Sequence, residues 1–164
     1  MERKQYPAPP GWRFQVFEIV PGLQISNRLR EPTDFEALDV DAIVCLESWE
    51  FSWSPPVPDD HLYVHFPMED DDRVAAMTRE VGRFVARLVE DGKRVLVHCT
   101  QGLNRSGLVV ACALTYLGHE PADAIDLVRR KRGVDDGFGA LGNEAFVDWL
   151  LGEATLRGDR DAGS

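Results

Sequence analysis

Val95-Leu96-Val97-His98-Cys99-Thr100-Gln101-Gly102-Leu103-Asn104-Arg105-Ser106-Gly107 is the stretch whose reading decides the fold. Val95 to Val97 are consecutive apolar residues with no polar alternation, the pattern of a strand buried on both faces. Beyond Gly107, Leu108 to Leu117 is almost wholly apolar and too long for one strand, so it reads as a central buried helix ended by Gly118. Cys99 to Arg105 must then be a loop wrapped at the N-terminus of that helix.

Working outward, the same kinds of signal place the other elements. Toward the N-terminus, Phe14 to Val20 reads as a strand, Pro21-Gly22 as a turn and Leu23 to Ser26 as a second strand. Pro32 to Leu38 suits a short helix, with Pro32 at a first helical position and Phe35 and Leu38 on one face. Ala42 to Leu46 is another buried strand, and Leu62 to Phe66 the next. Val74, Met77, Val81, Phe84 and Leu88 recur at intervals of three and four, which predicts a helix over Asp72 to Asp91 closed by Gly92. Toward the C-terminus, helices are expected at Pro121 to Arg132 and Asn143 to Leu151. Strands alternating with helices imply an α/β domain whose mainly parallel sheet is covered by helices on both faces. In such sheets ligands sit beyond the carboxyl ends of the strands, where the Cys99 loop begins.

The expected organisation is an N-terminal arm over 1–12, one domain over 13–153 and a flexible tail over 154–164. A net charge of −10 disfavours a nucleic-acid or anionic-membrane partner. The longest apolar run is too short to span a bilayer, and no apolar segment follows the charged residues of the N-terminus, so the cytoplasm is the expected location. Three cysteines, Cys45, Cys99 and Cys112, argue against a disulfide framework. Neither they nor His61, His65 and His119 show zinc spacing, and the reading assigns no metal and no cofactor.

The Cys99 loop carries the chemistry. Unpaired N–H groups at a helix start converge on one point, and the helix dipole adds positive potential there. That point attracts a phosphoryl dianion, and the same field favours a thiolate over a thiol at Cys99, giving a nucleophile. Thr100, Gln101, Gly102, Leu103 and Asn104 would form the anion-binding loop. The planar fork of Arg105 suits two phosphoryl oxygens at once. Ser106 can donate its hydroxyl proton to the Cys99 sulfur, which makes that sulfur a better leaving group. Gly102 allows the turn, Gly107 close packing. His98 is expected to prop the loop through its ring.

His98-Cys99, five residues, Arg105-Ser106-Gly107 resembles the signature of the cysteine-based protein tyrosine phosphatase superfamily. The small size, Glu18-Ile19-Val20-Pro21-Gly22-Leu23 and Ala140-Leu141-Gly142-Asn143-Glu144-Ala145-Phe146 resemble its dual-specificity branch. The likeness covers roughly residues 16–150 and implies a sheet of four or five mainly parallel strands flanked by helices. It also implies a proton donor: His65-Phe66-Pro67-Met68-Glu69-Asp70-Asp71-Asp72 resembles the acid loop of that family, which points to Asp70. Asp72 is the rival and Asp71 the third choice. Acids where a helix is expected to start serve equally as caps.

Other features have plainer alternatives. Arg129-Arg130-Lys131-Arg132 ends a helix, where cations complement the dipole, or serves as a docking patch. Trp49, Phe51 and Trp53 either wall the pocket or cover the sheet edge. Cys45 is either a core residue or an oxidation partner for Cys99, and Cys112 belongs to the core. The function implied is hydrolysis of phosphate monoesters, phosphotyrosine first and phosphoserine or phosphothreonine second, in a protein substrate. The loop also resembles that of the RNA 5′-triphosphatase members, through Thr100 and Asn104. A catalytically dead phospho-binding module is a third class, though such modules usually lack the Cys or the Arg. The oligomeric state is left open.

Overall fold

A computed structural model describes residues 10–48, 57–135 and 137–161. Trp49, Phe51 and Trp53, and most of the expected N-terminal arm, lie outside the described residues.

Five strands form one sheet: β1 (Val16–Val20), β2 (Leu23–Ser26), β3 (Ala42–Cys45), β4 (Leu62–His65) and β5 (Val95–His98), in the order β1-β2-β5-β3-β4. β1 and β2 are an antiparallel pair joined at Pro21-Gly22, and every other pairing is parallel. The expected sheet is therefore the observed one. Its middle strand is β5, flanked by β2 and β3, so the strand leading to Cys99 is held on both edges.

Alternate residues of the central strands feed two unequal cores. Leu23, Ile25, Ala42, Val44, Val95 and Val97 face a large cluster. It is completed by the helices α2 (Thr78–Glu90), α3 (Arg105–Tyr116), α4 (Pro121–Arg132) and α5 (Glu144–Asp161). Ile43 and Leu96 face the opposite way, into a small cluster with Leu29, Val40, Phe35 and Leu38. Phe35 lies in α1 (Pro32–Glu36). Both faces are covered, which is why β3 and the start of β5 show no polar alternation. α3 is the central helix: from Ser106 to Leu114 every residue is buried. A two-residue hairpin, β6 (Val134–Asp135) with β7 (Phe138–Gly139), follows α4 and has no counterpart in the sequence reading.

Two boundaries differ from expectation. α2 starts at Thr78, not at Asp72. The carboxylate of Asp71 accepts the backbone N–H of Arg73 at 2.8 Å and its guanidinium at 3.1 Å. That local turn takes up the backbone groups a helix would need. Val74 and Met77 continue the apolar spacing but precede the helix, and Met77 is 55% exposed. α5 runs on to Asp161 rather than stopping at Leu151. Nothing between Leu151 and Asp161 compels a stop: Gly152 and Gly158 are the only weak helix formers there, and no proline intervenes. The segment expected as tail thus begins inside a helix.

Candidate active site

Cys99 stands where β5 ends, 3% exposed, with its Sγ 3.2 Å from the hydroxyl of Ser106 in the first turn of α3. The loop between them is fastened from behind. Gly102 has φ +68°, a left-handed conformation that penalises any side chain. A Cβ there would meet the carbonyl oxygen of Ser26 at 2.5 Å, so glycine is needed for approach as well as for turn. The carbonyls of Thr100, Gln101 and Gly102 are all engaged. The first accepts the backbone N–H of Arg28 at 3.1 Å. The other two accept Nη2 and Nε of Arg132, each at 2.9 Å. With its carbonyls tied back, the loop has its N–H groups left over: no protein acceptor among the described residues takes those of residues 100–104. Convergent unpaired N–H groups at a helix start are what an oxyanion needs.

Arg132 is 3% exposed and stacks 4.4 Å from the ring of Phe17. Arg129 donates to the carbonyls of Ala140 and Leu141. The basic run is therefore more than a complement to the helix dipole: two of its four members brace the loop and its neighbour. Leu141 in turn donates its N–H to Leu103 and lies against Gly107, where a Cβ would come within 3.1 Å of its side chain. Close packing at Gly107 is thus as expected.

A second network underlies the loop. The Thr100 hydroxyl accepts from Arg105 Nη2 at 2.8 Å and from Arg28 Nη2 at 3.2 Å, and donates to Glu47 Oε1 at 2.9 Å. One donor and two lone pairs are all a hydroxyl has, so this one is saturated. Thr100 therefore offers a ligand its backbone rather than its side chain. Arg28 and Glu47 form a buried ion pair at 2.5 Å, with Glu47 only 1% exposed. Neither was singled out in the sequence. Each stands just past a strand end, and only the parallel pairing of β2 and β3 with β5 brings them under Thr100. Arg105 completes the arrangement by donating from Nη1 to the Met68 carbonyl at 3.2 Å.

Of the three candidate acids, Asp70 is the one joined to the loop. Its Oδ2 accepts from Asn104 Nδ2 at 2.9 Å and its Oδ1 from Asn143 Nδ2 at 2.8 Å. Asp71 is turned to Arg73, which holds its carboxyl below the ordinary range. Asp72 is exposed. Capping was the competing role for Asp71 and Asp72, and it fails because α2 starts at Thr78. Asn143 is a residue the sequence reading passed over. Its Oδ1 accepts the N–H groups of Ala145 and Phe146, capping α5, while its amide holds Asp70 and the Asp71 carbonyl. Asp70, Gln101, Leu103, Asn104, Phe138 and Asn143 line one cleft of about 460 Å³.

Among the described residues the expected ring hydrogen bond of His98 is absent. The side chain is 1% exposed and neither ring nitrogen has a partner of sound geometry. Burial pulls its pKa down to about 4, so the ring is neutral near pH 7, although the neighbouring Glu47 charge and Cys99 backbone act the other way. Cys45 is buried and its thiol is pushed up to about 11 by burial, and neither it nor Cys99 nor Cys112 is in a disulfide. Cys112 sits in the core facing Gly82, as expected.

Residues 31–151 match the family model for the dual specificity phosphatase catalytic domain. The chain belongs to the dual-specificity phosphatase family. Among curated relatives, Dual specificity protein phosphatase 1B of Arabidopsis thaliana is 30% identical over 136 residues, covering 81% of this chain and 78% of that protein. The RNA/RNP complex-1-interacting phosphatase of Homo sapiens is 30% identical over 142 residues, 76% of this chain but 43% of that protein. The chain therefore spans less than half of that relative. Among solved structures, Tk-PTP in its active form superposes with a TM-score of 0.67 at 29% identity over 87% of this chain and 97% of that one. Human DUSP28 superposes with a TM-score of 0.71 at 19% identity over 89% and 99%, a likeness of fold. This dual-specificity phosphatase domain has its Cys99 loop inside the matched region, and no helix among its described residues is long and apolar enough to cross a membrane.

Proposed function

We propose that this chain hydrolyses phosphate monoesters of proteins, phosphotyrosine before phosphoserine or phosphothreonine, through a cysteinyl-phosphate intermediate on Cys99. The observation that carries the reading is the Cys99 Sγ at 3.2 Å from Ser106 Oγ, beside a loop whose carbonyls are tied back and whose N–H groups find no acceptor among the described residues. Cys99 thiolate attacks phosphorus, the P–O bond to the leaving group breaks, and Asp70 gives that oxygen a proton. Loop N–H groups and Arg105 hold the phosphoryl oxygens. Water then attacks the S–P bond, giving up a proton to Asp70, and the sulfur leaves with the Ser106 hydroxyl donating to it. No metal enters these steps. Phe138, 69% exposed on the cleft rim, offers an aromatic face to a phosphotyrosine ring.

A second reading, an RNA 5′-triphosphatase, draws on Thr100 and Asn104 in the loop and on the human relative's name as an RNA/RNP complex-1-interacting phosphatase. Two observations weigh against it: the net charge of −10, and the commitment of Arg129 and Arg132 to loop carbonyls. Turnover of a phosphotyrosine peptide, a phosphothreonine peptide and 5′-triphosphorylated RNA tests both, with Cys99→Ser as the blank. The expected order is phosphotyrosine, phosphothreonine, RNA. Preference for the RNA end would transfer the assignment to the second reading. Turnover surviving in Cys99→Ser would remove the nucleophile, and no turnover at all would leave a binding module.

A further inference from the structure

Cys45 and His98 are register partners on the adjacent parallel strands β3 and β5, and Glu47 lies two residues beyond Cys45. Their donor atoms, the thiol sulfur, a carboxylate oxygen and an imidazole nitrogen, all lie within 4.8 Å of one another, and all three residues are buried. The cluster is left polar and unsatisfied in a specific way. Among the described residues neither nitrogen of His98 has a partner and Glu47 Oε2 has none either, while Oε1 takes Arg28 and Thr100. Buried polar atoms without partners cost free energy, and this fold keeps three of them in one small cluster.

We infer that Cys45, Glu47 and His98 form a buried binding site for a divalent transition metal of the zinc class, beneath the Cys99 loop and separate from the nucleophile. The donor set is suited to such an ion: thiolate and imidazole select zinc over magnesium or calcium, and Zn–S near 2.3 Å with Zn–N and Zn–O near 2.0–2.2 Å keeps ligands within about 4 Å of each other. Closing from 4.8 Å is a side-chain adjustment of under about 1 Å. A thiolate and a carboxylate balance the two charges of the ion, with Arg28 already paired on the other carboxylate oxygen. Linear spacing hides the site, because its ligands come from two strands that the sheet sets side by side. Bound there, the ion would brace the base of the loop through His98, next to Cys99, and through Glu47, which holds Thr100.

Cobalt titration of the full chain carrying Cys99→Ser and Cys112→Ala tests this, since Cys45 is then the sole thiol. The expected result is a thiolate-to-cobalt charge-transfer band with visible d–d bands, saturating at one equivalent and displaced by zinc. The melting temperature should rise with zinc concentration. His98→Asn should weaken cobalt binding at least about 10-fold, and Cys45→Ser in the same background should abolish the charge-transfer band. Should the double variant fold poorly, Cys99→Ser alone with and without Cys45→Ser gives the same contrast. No charge-transfer band with an unmoved melting temperature overturns the site, and so does a band that persists after Cys45→Ser. Neither result touches the phosphatase reading, which is tested by turnover without added metal.

Discussion

The loop from Cys99 to Arg105 and the segment from Met68 to Met77 both reach the cleft, and they are fastened by different means. The loop is anchored from beneath by buried groups: the Arg28–Glu47 pair, Arg132 on two carbonyls, and Gly102 pressed on Ser26. The other segment is exposed at Glu69 and Asp70, and its acid is held by the amide groups of Asn104 and Asn143. A buried charged network has no water to replace a missing partner, so losing one member is expensive. An exposed amide contact can be replaced by water at small cost. On the proposed assignment the phosphoryl site is thereby over-determined while the proton donor is lightly held, which suits a group that must approach a leaving oxygen and later turn to water.

That contrast can be broken at four places. On the proposed assignment, Asp70→Asn lowers turnover of alkyl phosphates by about 10²–10⁴-fold and spares activated aryl phosphates, with the melting temperature unchanged. The check is a leaving-group series at fixed pH, with Asp72→Asn as control; an effect in the control alone would move the acid to Asp72. Arg28→Met should cost about 3–5 kcal/mol of stability by stranding the Glu47 charge, read by urea unfolding. Pairing it with Glu47→Leu should recover most of that loss, and no recovery would mean the pair is not the anchor.

Asn143→Ala removes the α5 cap and one hold on Asp70, so roughly 0.5–2 kcal/mol of stability should go together with part of the leaving-group selectivity. Unchanged selectivity would show that Asn104 alone positions the acid. The smallest effect lies far from the cleft, at Asp41, where the Arg94 side chain holds the carboxyl well below the usual carboxylate range. A depressed folded-state pKa contributes stability that is present above the unfolded value of 3.8 and lost as pH falls below it. The pair is partly exposed, so Asp41→Asn should cost at most about 1 kcal/mol near neutrality, and the difference from the parent should vanish in acid unfolding well below pH 3.8.

Much of this protein follows from local sequence. Apolar runs marked β3 and β5 almost to the residue, because strands buried on both faces leave no polar interruption to blur their ends. Pro121 and Gly133 bracket α4 for the same local reason, a proline that starts a helix and a glycine that leaves it. The placement of Cys99, Arg105 and Ser106 at one strand-loop-helix junction was legible because it depends on spacing along a single unit. The start of α2 was not, since a side-chain turn at Asp71 competes with apolar periodicity over the same residues. Arg28, Glu47, Arg132 and Asn143 were not legible either. Their contacts reach 72, 53, 31 and 73 positions along the chain to Thr100, Gln101 and Asp70. Local sequence thus determined which residues form the loop between β5 and α3. The tertiary structure alone decided what holds that loop and which carboxylate stands beside it, because charge and hydrogen bonding act through space, and only strand order and helix packing set those distances.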